Sequence, residues 1–213
     1  MKARFFHASV VFLGMRFVAG LDLGQSYDHS ALAVVEASDG LLKVRYLERA
    51  PLGTPYTEVL EWVRAVLTNQ ELRGRCALVV DGTGVGAPVV DMLRAARLGC
   101  EITDVRITSG GVERDGSEEY NAPRRHVPKR DLMAGLQLAF ESATLRIAKD
   151  CIDTHALVHE LGDMKMTYGR RGVRMGAEGY GQHDDLVIAL ALAVWRLRRK
   201  EAPKINLGGG RLF

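Results

Sequence analysis

Twice in this 213-residue chain a short, nearly unbroken run of strand-forming apolar residues carries an aspartate at its end. Phe17 to Leu23 reads FVAGLDL with Asp22 next to last, and Cys76 to Asp81 reads CALVVD. A strand with one wet face alternates apolar and polar residues, so a continuous apolar run means burial on both faces. Such strands need a sheet with helices packed against each side.

The rest of the chain fills in that sheet. Ser30 to Glu36 reads as a second strand, and Leu42 to Arg49 alternates as a half-buried third, with Asp39-Gly40 as the hairpin turn between them. Gly53-Thr54-Pro55 opens a helix, with Thr54 as N-cap and Pro55 at the first position. After Asp81, Gly82-Thr83-Gly84-Val85-Gly86 turns the chain into a helix running to about Leu98, and Glu101 to Ile107 forms a fifth strand. Ser109 to Pro128 is polar and rich in Gly, Arg and Glu, which predicts a long surface loop. Lys129 to Ser142 and about residues 153–163 are helical. Lys165 to Tyr168 and Gly172 to Met175 flank Gly169-Arg170-Arg171 as a hairpin, with Arg170, Arg171 and Arg174 on or near its tip. Asp184-Asp185 then caps a very apolar helix, Leu186 to about Arg199, whose alternating alanines permit close packing on a sheet. The order predicts an α/β fold. Its mixed five-stranded sheet has three antiparallel strands and then parallel ones, with helices on both faces and an added β-hairpin.

Composition narrows the class. With 47% hydrophobic and 26% charged residues the chain is an ordinary globular one, of a length that suits a single domain. Three widely spaced cysteines, Cys76, Cys100 and Cys151, fit neither a zinc knuckle nor a disulfide framework, and they suit a reducing cytoplasm. The longest apolar run, Leu186 to Trp195, is about half of the roughly 20 residues that span a bilayer, so no membrane segment is expected. Lys2, Arg4 and the apolar residues after them loosely imitate a signal peptide. His7 and Ser9 break that stretch, and cleavage after Val18-Ala19-Gly20 would remove most of the first strand. Met15 serves equally well as a start, so residues 1–14 read as an extension, 15–200 as the domain and 201–213, with Gly208-Gly209-Gly210, as a flexible tail. Charge is unevenly spread: residues 163–213 hold ten Lys and Arg against five Asp and Glu, whereas residues 1–162 hold nineteen against twenty-one. A basic C-terminal quarter suits either a polyanion partner or a solvated helix face.

Carboxylates therefore recur at the ends of core elements: Asp22, Asp81 and the pair Asp184-Asp185. Burying them among apolar neighbours is costly unless positive charge compensates. Mg²⁺ or Mn²⁺ is the simplest compensation, because these ions prefer carboxylate oxygens and no His/Cys cluster favours zinc. If the first and fourth strands are neighbours, Asp22 and Asp81 lie side by side about 5 Å apart and the helix start supplies a third ligand. Two metals about 3.5–4 Å apart on such a set would clamp the attacking water and the leaving 3′-oxygen of a phosphodiester. Each residue also has a plainer reading: Asp184 or Asp185 as an N-cap, Asp81 as a turn former. Asp28 and His183 would sit in the outer shell or serve structure alone. Lys129 and Arg130, with Arg124, Arg125 and His126, would suit backbone phosphates beside the loop. Neither a phosphate-binding G-x-x-x-x-G-K-[ST] loop nor a G-x-S-x-G elbow occurs in the chain, which disfavours a P-loop ATPase and a serine hydrolase and leaves no bound nucleotide expected.

These residues resemble the C-terminal nuclease domain of phage large terminase subunits, within the ribonuclease H-like superfamily. Gly20-Leu21-Asp22-Leu23-Gly24 with Asp28 and Ser30-Ala31 looks like the family's first-strand motif, and Leu78 to Gly84 (LVVDGTG) like its fourth-strand motif. Gly181 to Val187 (GQHDDLV), followed by Ala189 and Leu190-Ala191, is the most specific, and Val127-Pro128-Lys129 is similar to the segment entering a later helix. The match covers about residues 16–200. It implies a two-metal endonuclease, Mg²⁺- or Mn²⁺-dependent, that cuts concatemeric phage DNA during packaging. Asp22, Asp81 and Asp185 would be its metal-binding triad and Asp184 a fourth ligand. Lys129, Arg130, Arg170, Arg171 and Arg174 would position double-stranded DNA. Full large terminases also carry an N-terminal packaging ATPase that this sequence does not include, so the resemblance implies either an excised domain or a separately encoded nuclease subunit, with a packaging ATPase, a portal and a small terminase subunit as partners. A Holliday-junction resolvase and a non-catalytic DNA-binding or assembly module are the alternatives. The actin-like kinase group shares a Gly-x-Asp-x-Gly strand but needs two domains.

Overall fold

The computed structural model describes residues 16–24, 28–84, 86–117, 122–169, 172–177 and 183–199. The expected extension (1–14), the tail (201–213) and the hairpin tip (Arg170, Arg171) lie outside them.

Strand β1 (Phe17–Asp22) pairs antiparallel with β2 (Ala31–Ser38), and β2 pairs antiparallel with β3 (Leu41–Arg49). The β2–β3 turn is made by Asp39 and Gly40, both with positive φ (55° and 74°), as Asp-Gly in a tight hairpin requires. Helix α1 (Tyr56–Leu67) leads to β4 (Cys76–Asp81), which lies parallel to β1 on its other side. Helix α2 (Gly86–Ala95) leads to β5 (Ile102–Thr108), parallel to β4. These five strands are the ones expected, and they form the contiguous centre of the sheet.

Three further short strands widen it to eight among the described residues: β6 (Arg114–Asp115), β7 (Arg124–Pro128) and β8 (Leu145–Ile147), in the order β6-β7-β5-β4-β1-β2-β3-β8. The loop expected over Ser109 to Pro128 is thus partly sheet. Its β7, Arg-Arg-His-Val-Pro, shows no apolar pattern because one buried position is an arginine. Arg124 Nε and Nη2 lie 2.7 and 2.6 Å from Asp104 Oδ2, and Asp104 is fully buried. The expected phosphate contact through Arg124 is corrected accordingly: its guanidinium is inside the fold.

Helices α3 (Lys129–Glu141), α4 (Thr154–Asp163) and α5 (Asp185–Arg198) complete the domain. The hairpin of β9 (Met164–Gly169) and β10 (Gly172–Ala177) stands apart as a second sheet. Gly169 pairs with Gly172, so only Arg170 and Arg171 separate its strands, one residue fewer than expected. Arg174 lies on β10 opposite Thr167. At α1 the expected Thr54 cap is also corrected. Pro55 takes the cap position without a side-chain bond, and the Thr54 hydroxyl donates to the Pro51 carbonyl at 2.6 Å.

Alternate residues of the central strands enter two cores. Val18, Ala33, Val79 and Val105 pack with α3, α4 and α5 on one face, while Ala19, Leu21, Leu78 and Val80 pack with α1 and α2 on the other. Helix α5 is buried almost throughout and crosses β1 at Gly20, where a Cβ would fall 1.9 Å from the Ala189 carbonyl oxygen. Ala189 and Ala193, one helical turn apart, are fully buried in this seat. No helix among the described residues is long and apolar enough to cross a membrane.

Candidate metal centre

Asp22 ends β1 and Asp81 ends β4, and the parallel register pairs them directly, on strands about 4.8 Å apart. Counting by twos from Val18 and Val79, both carboxylates fall on the sheet face covered by α5, whose first residue is Asp185. Asp185 is 5% exposed.

The carboxyl groups act on one another electrostatically. The Asp22 carboxyl is held well above the usual range, first by burial and then by the charges of Asp81, Asp185 and Asp184, with Lys129 opposing. Burial also raises Asp81, against two hydrogen bonds from Thr83. Burial pushes Asp185 up to about 6. His183 opposes that shift and Asp28 and Asp184 add to it, while the His29 backbone N–H lowers it.

Local bonds fix two of the carboxylates, Asp81 and Asp184. Asp81 Oδ1 accepts from the Thr83 backbone N–H at 2.8 Å and from the Thr83 hydroxyl, whose oxygen accepts in turn from the Ile107 N–H at 2.7 Å. Arg106 donates to the Gly82 carbonyl and lies 3.1 Å from Asp104, tying the turn after Asp81 to β5. Asp184 occupies the N-cap position of α5 but caps nothing with its side chain. Its Oδ2 lies 2.6 Å from Lys129 Nζ. Lys129, expected at DNA, thus forms an ion pair within the acidic group. Arg130 remains at the surface, bonded to the Gly111 carbonyl at 2.7 Å.

Asp28 and His183 lie against the same group. His183 Nδ1 is 3.6 Å from Asp185 Oδ2 and 3.9 Å from Asp28 Oδ1, and one donor atom from each of the three lies within 4.8 Å of the others. The His29 ring meets His183 edge-on at 5.1 Å and is anchored by its Nδ1–H, which donates to the Ala50 carbonyl at 2.9 Å. Asp185 Oδ2 and His183 Nδ1 are buried without a hydrogen-bond partner. Orphaned polar atoms are costly in a fold, and clustered carboxylate oxygens suit a hard divalent cation. The residues present fit such an ion.

Two contributors are absent from the sequence reading. Thr83 reads there only as part of a glycine turn, although an Asp-x-Thr step that lets the threonine bond back to the aspartate is a local signal. Glu160 of α4 reaches α5 from 26 residues away, and nothing local marks it.

Three antiparallel strands followed by parallel ones, with acidic residues at the ends of β1 and β4 and at the start of the helix crossing them, define a ribonuclease H-like fold. More narrowly, the fold is that of the nuclease domain of phage large terminases. The large terminase nuclease of thermophilic phage G20c superposes with a TM-score of 0.62 at 24% identity, over 84% of this chain and 81% of that one. Its structure with bound magnesium gives 0.62 and 24%, over 84% and 80%. The large terminase of another thermophilic bacteriophage gives 0.61 at 12% identity, over 86% of this chain but 40% of that longer one. No protein-family model matches the chain, and no curated protein matches it in sequence.

Proposed function

We propose that this protein is a divalent-metal-dependent DNA endonuclease that cuts concatemeric viral DNA during genome packaging in the host cytoplasm. The observation that carries the reading is the register pairing of Asp22 with Asp81 on the sheet face covered by α5, the helix that begins at Asp185. Asp22, Asp81 and Asp185 would hold the metal, with Asp184 as a further ligand and Asp28 and His183 in the outer shell. Two bound Mg²⁺ or Mn²⁺ ions would supply an activated water and charge stabilisation at the leaving 3′-oxygen. The chain's own contribution is to hold four carboxylates together, with Lys129 offsetting part of their repulsion and the Thr83 bonds orienting Asp81. Arg130, Arg170, Arg171 and Arg174 would meet backbone phosphates of double-stranded DNA, which positions the duplex without reading its sequence. In that setting the partners are a packaging ATPase, a portal and a small terminase subunit.

The test is incubation of supercoiled plasmid with wild type and Asp81→Asn in EDTA, Mg²⁺ or Mn²⁺, with and without ATP. Metal-dependent nicking that ignores ATP and falls by about two orders of magnitude or more in the variant is expected, since losing a ligand removes the site. A folded wild type whose melting point rises with Mn²⁺ but which cuts no DNA would make this a non-catalytic module.

A further inference from the structure

The residue before a helix ordinarily supplies its cap, and Asp is among the best at doing so. At α5 that residue is Asp184, and its carboxylate is turned away to Lys129. The capping is done from another element. Glu160 Oε2 accepts from the backbone N–H of Leu186 at 2.9 Å and of Val187 at 3.1 Å, the second and third residues of α5. Glu160 is 5% exposed, and its other oxygen lies 3.2 Å from Arg49 Nη1 at the end of β3. Asp153 reaches the same strand end, accepting from the Arg49 N–H at 2.7 Å.

A carboxylate buried this deeply needs a reason, because burial of an ionised group is costly unless hydrogen bonds and an opposite charge compensate. Here both are present, and they converge on the turn that delivers Asp185. One side chain at position 184 cannot both fold back over α5 and face the aspartates of β1 and β4. We infer that Glu160 is a positioning residue for the metal centre: by capping α5 in place of Asp184, it releases Asp184 toward Lys129 and holds the first turn that carries Asp185. The inference rests on the metal-nuclease reading for its purpose, though the exchange of caps stands on geometry alone.

Its test uses metal-free wild type, Glu160→Ala and Glu160→Gln. Mn²⁺ is titrated into each by calorimetry, and hydrogen exchange is followed at the Leu186 and Val187 amides. The melting effect of Asp184→Ala is compared in the wild-type and Glu160→Ala backgrounds. Glu160→Ala is expected to bind Mn²⁺ about tenfold or more weakly and to lose protection at both amides, whereas Glu160→Gln, which keeps an oxygen acceptor, recovers the protection and most of the affinity. Asp184→Ala is expected to cost no melting temperature in wild type but several degrees in Glu160→Ala, where Asp184 takes back the cap. Wild-type Mn²⁺ affinity in Glu160→Ala would overturn the inference, as would a glutamine variant whose amides are protected but whose affinity is lost. Should Glu160→Ala not fold, the glutamine variant decides on those same two readouts. If wild type itself binds no Mn²⁺, the nuclease reading fails, while amide exchange and the Asp184→Ala comparison still decide who caps α5.

Discussion

At the scale of single residues, a carboxylate is useful to a metal only if its orientation is settled before the metal arrives. Asp81 has one oxygen held by the Thr83 N–H and hydroxyl, and that hydroxyl is itself fixed by the Ile107 N–H on β5. Thr83→Val keeps the shape and the backbone bond but loses the hydroxyl. DNA cleavage is expected to fall about tenfold while Thr83→Ser stays near wild type, in keeping with the usual cost of removing a ligand's supporting bond. Equal nicking rates for valine and threonine would show the hydroxyl to be idle. The aspartates themselves were legible in the sequence, because each interrupts or ends an apolar run where a lone charge has no reason to be. Their supports were not legible, since Ile107 lies 24 residues from Thr83 and Asp184 lies 55 from Lys129. A basic residue is visible in a sequence, but its partner is not.

At the scale of elements, the seat of α5 on β1 depends on one missing methyl group. A Cβ at Gly20 would meet the Ala189 carbonyl oxygen at 1.9 Å and the Ala193 nitrogen at 2.9 Å, and both are backbone atoms with no side-chain freedom to yield. Gly20→Ala is expected to destabilise the fold by about 3 kcal/mol, the upper part of the usual range for overpacking, read as a lower urea midpoint with an unchanged slope. An unshifted midpoint would mean that the helix can ride outward at little cost. The five central strands were readable because continuous apolar runs and an Asp-Gly turn announce them. Strand β7 was not, since its inward position is filled by Arg124 and satisfied by Asp104, a pairing that hydrophobic periodicity cannot register.

For the molecule as a whole, gathering buried carboxylates makes stability depend on pH in one direction. Burial lifts Asp185 from its ordinary 3.8 to about 6 and Glu160 from 4.5 to about 7, and it raises Asp22 and Asp81 as well. Groups raised in the folded state bind more protons there than in the unfolded chain, so their contribution is complete below about pH 4 and is lost as pH climbs through 6 to 7. In EDTA the melting temperature is expected to fall from pH 5 to pH 8. In Mn²⁺ the stabilisation is expected to grow over the same interval, because the ion competes with those protons for the carboxylates. Parallel melting curves with and without Mn²⁺ at both pH values check this, and a metal effect independent of pH would remove these aspartates from the binding site. The contact between Gly20 and Ala189 bears on control. Backbone rests on backbone there, so β1 and α5 travel together, and the span from Asp22 to Asp185 is riveted like the jaws of a fixed-gap tool. If the proposed activity holds, a partner that throttled it would meter the supply of DNA to the jaws rather than reset their gap.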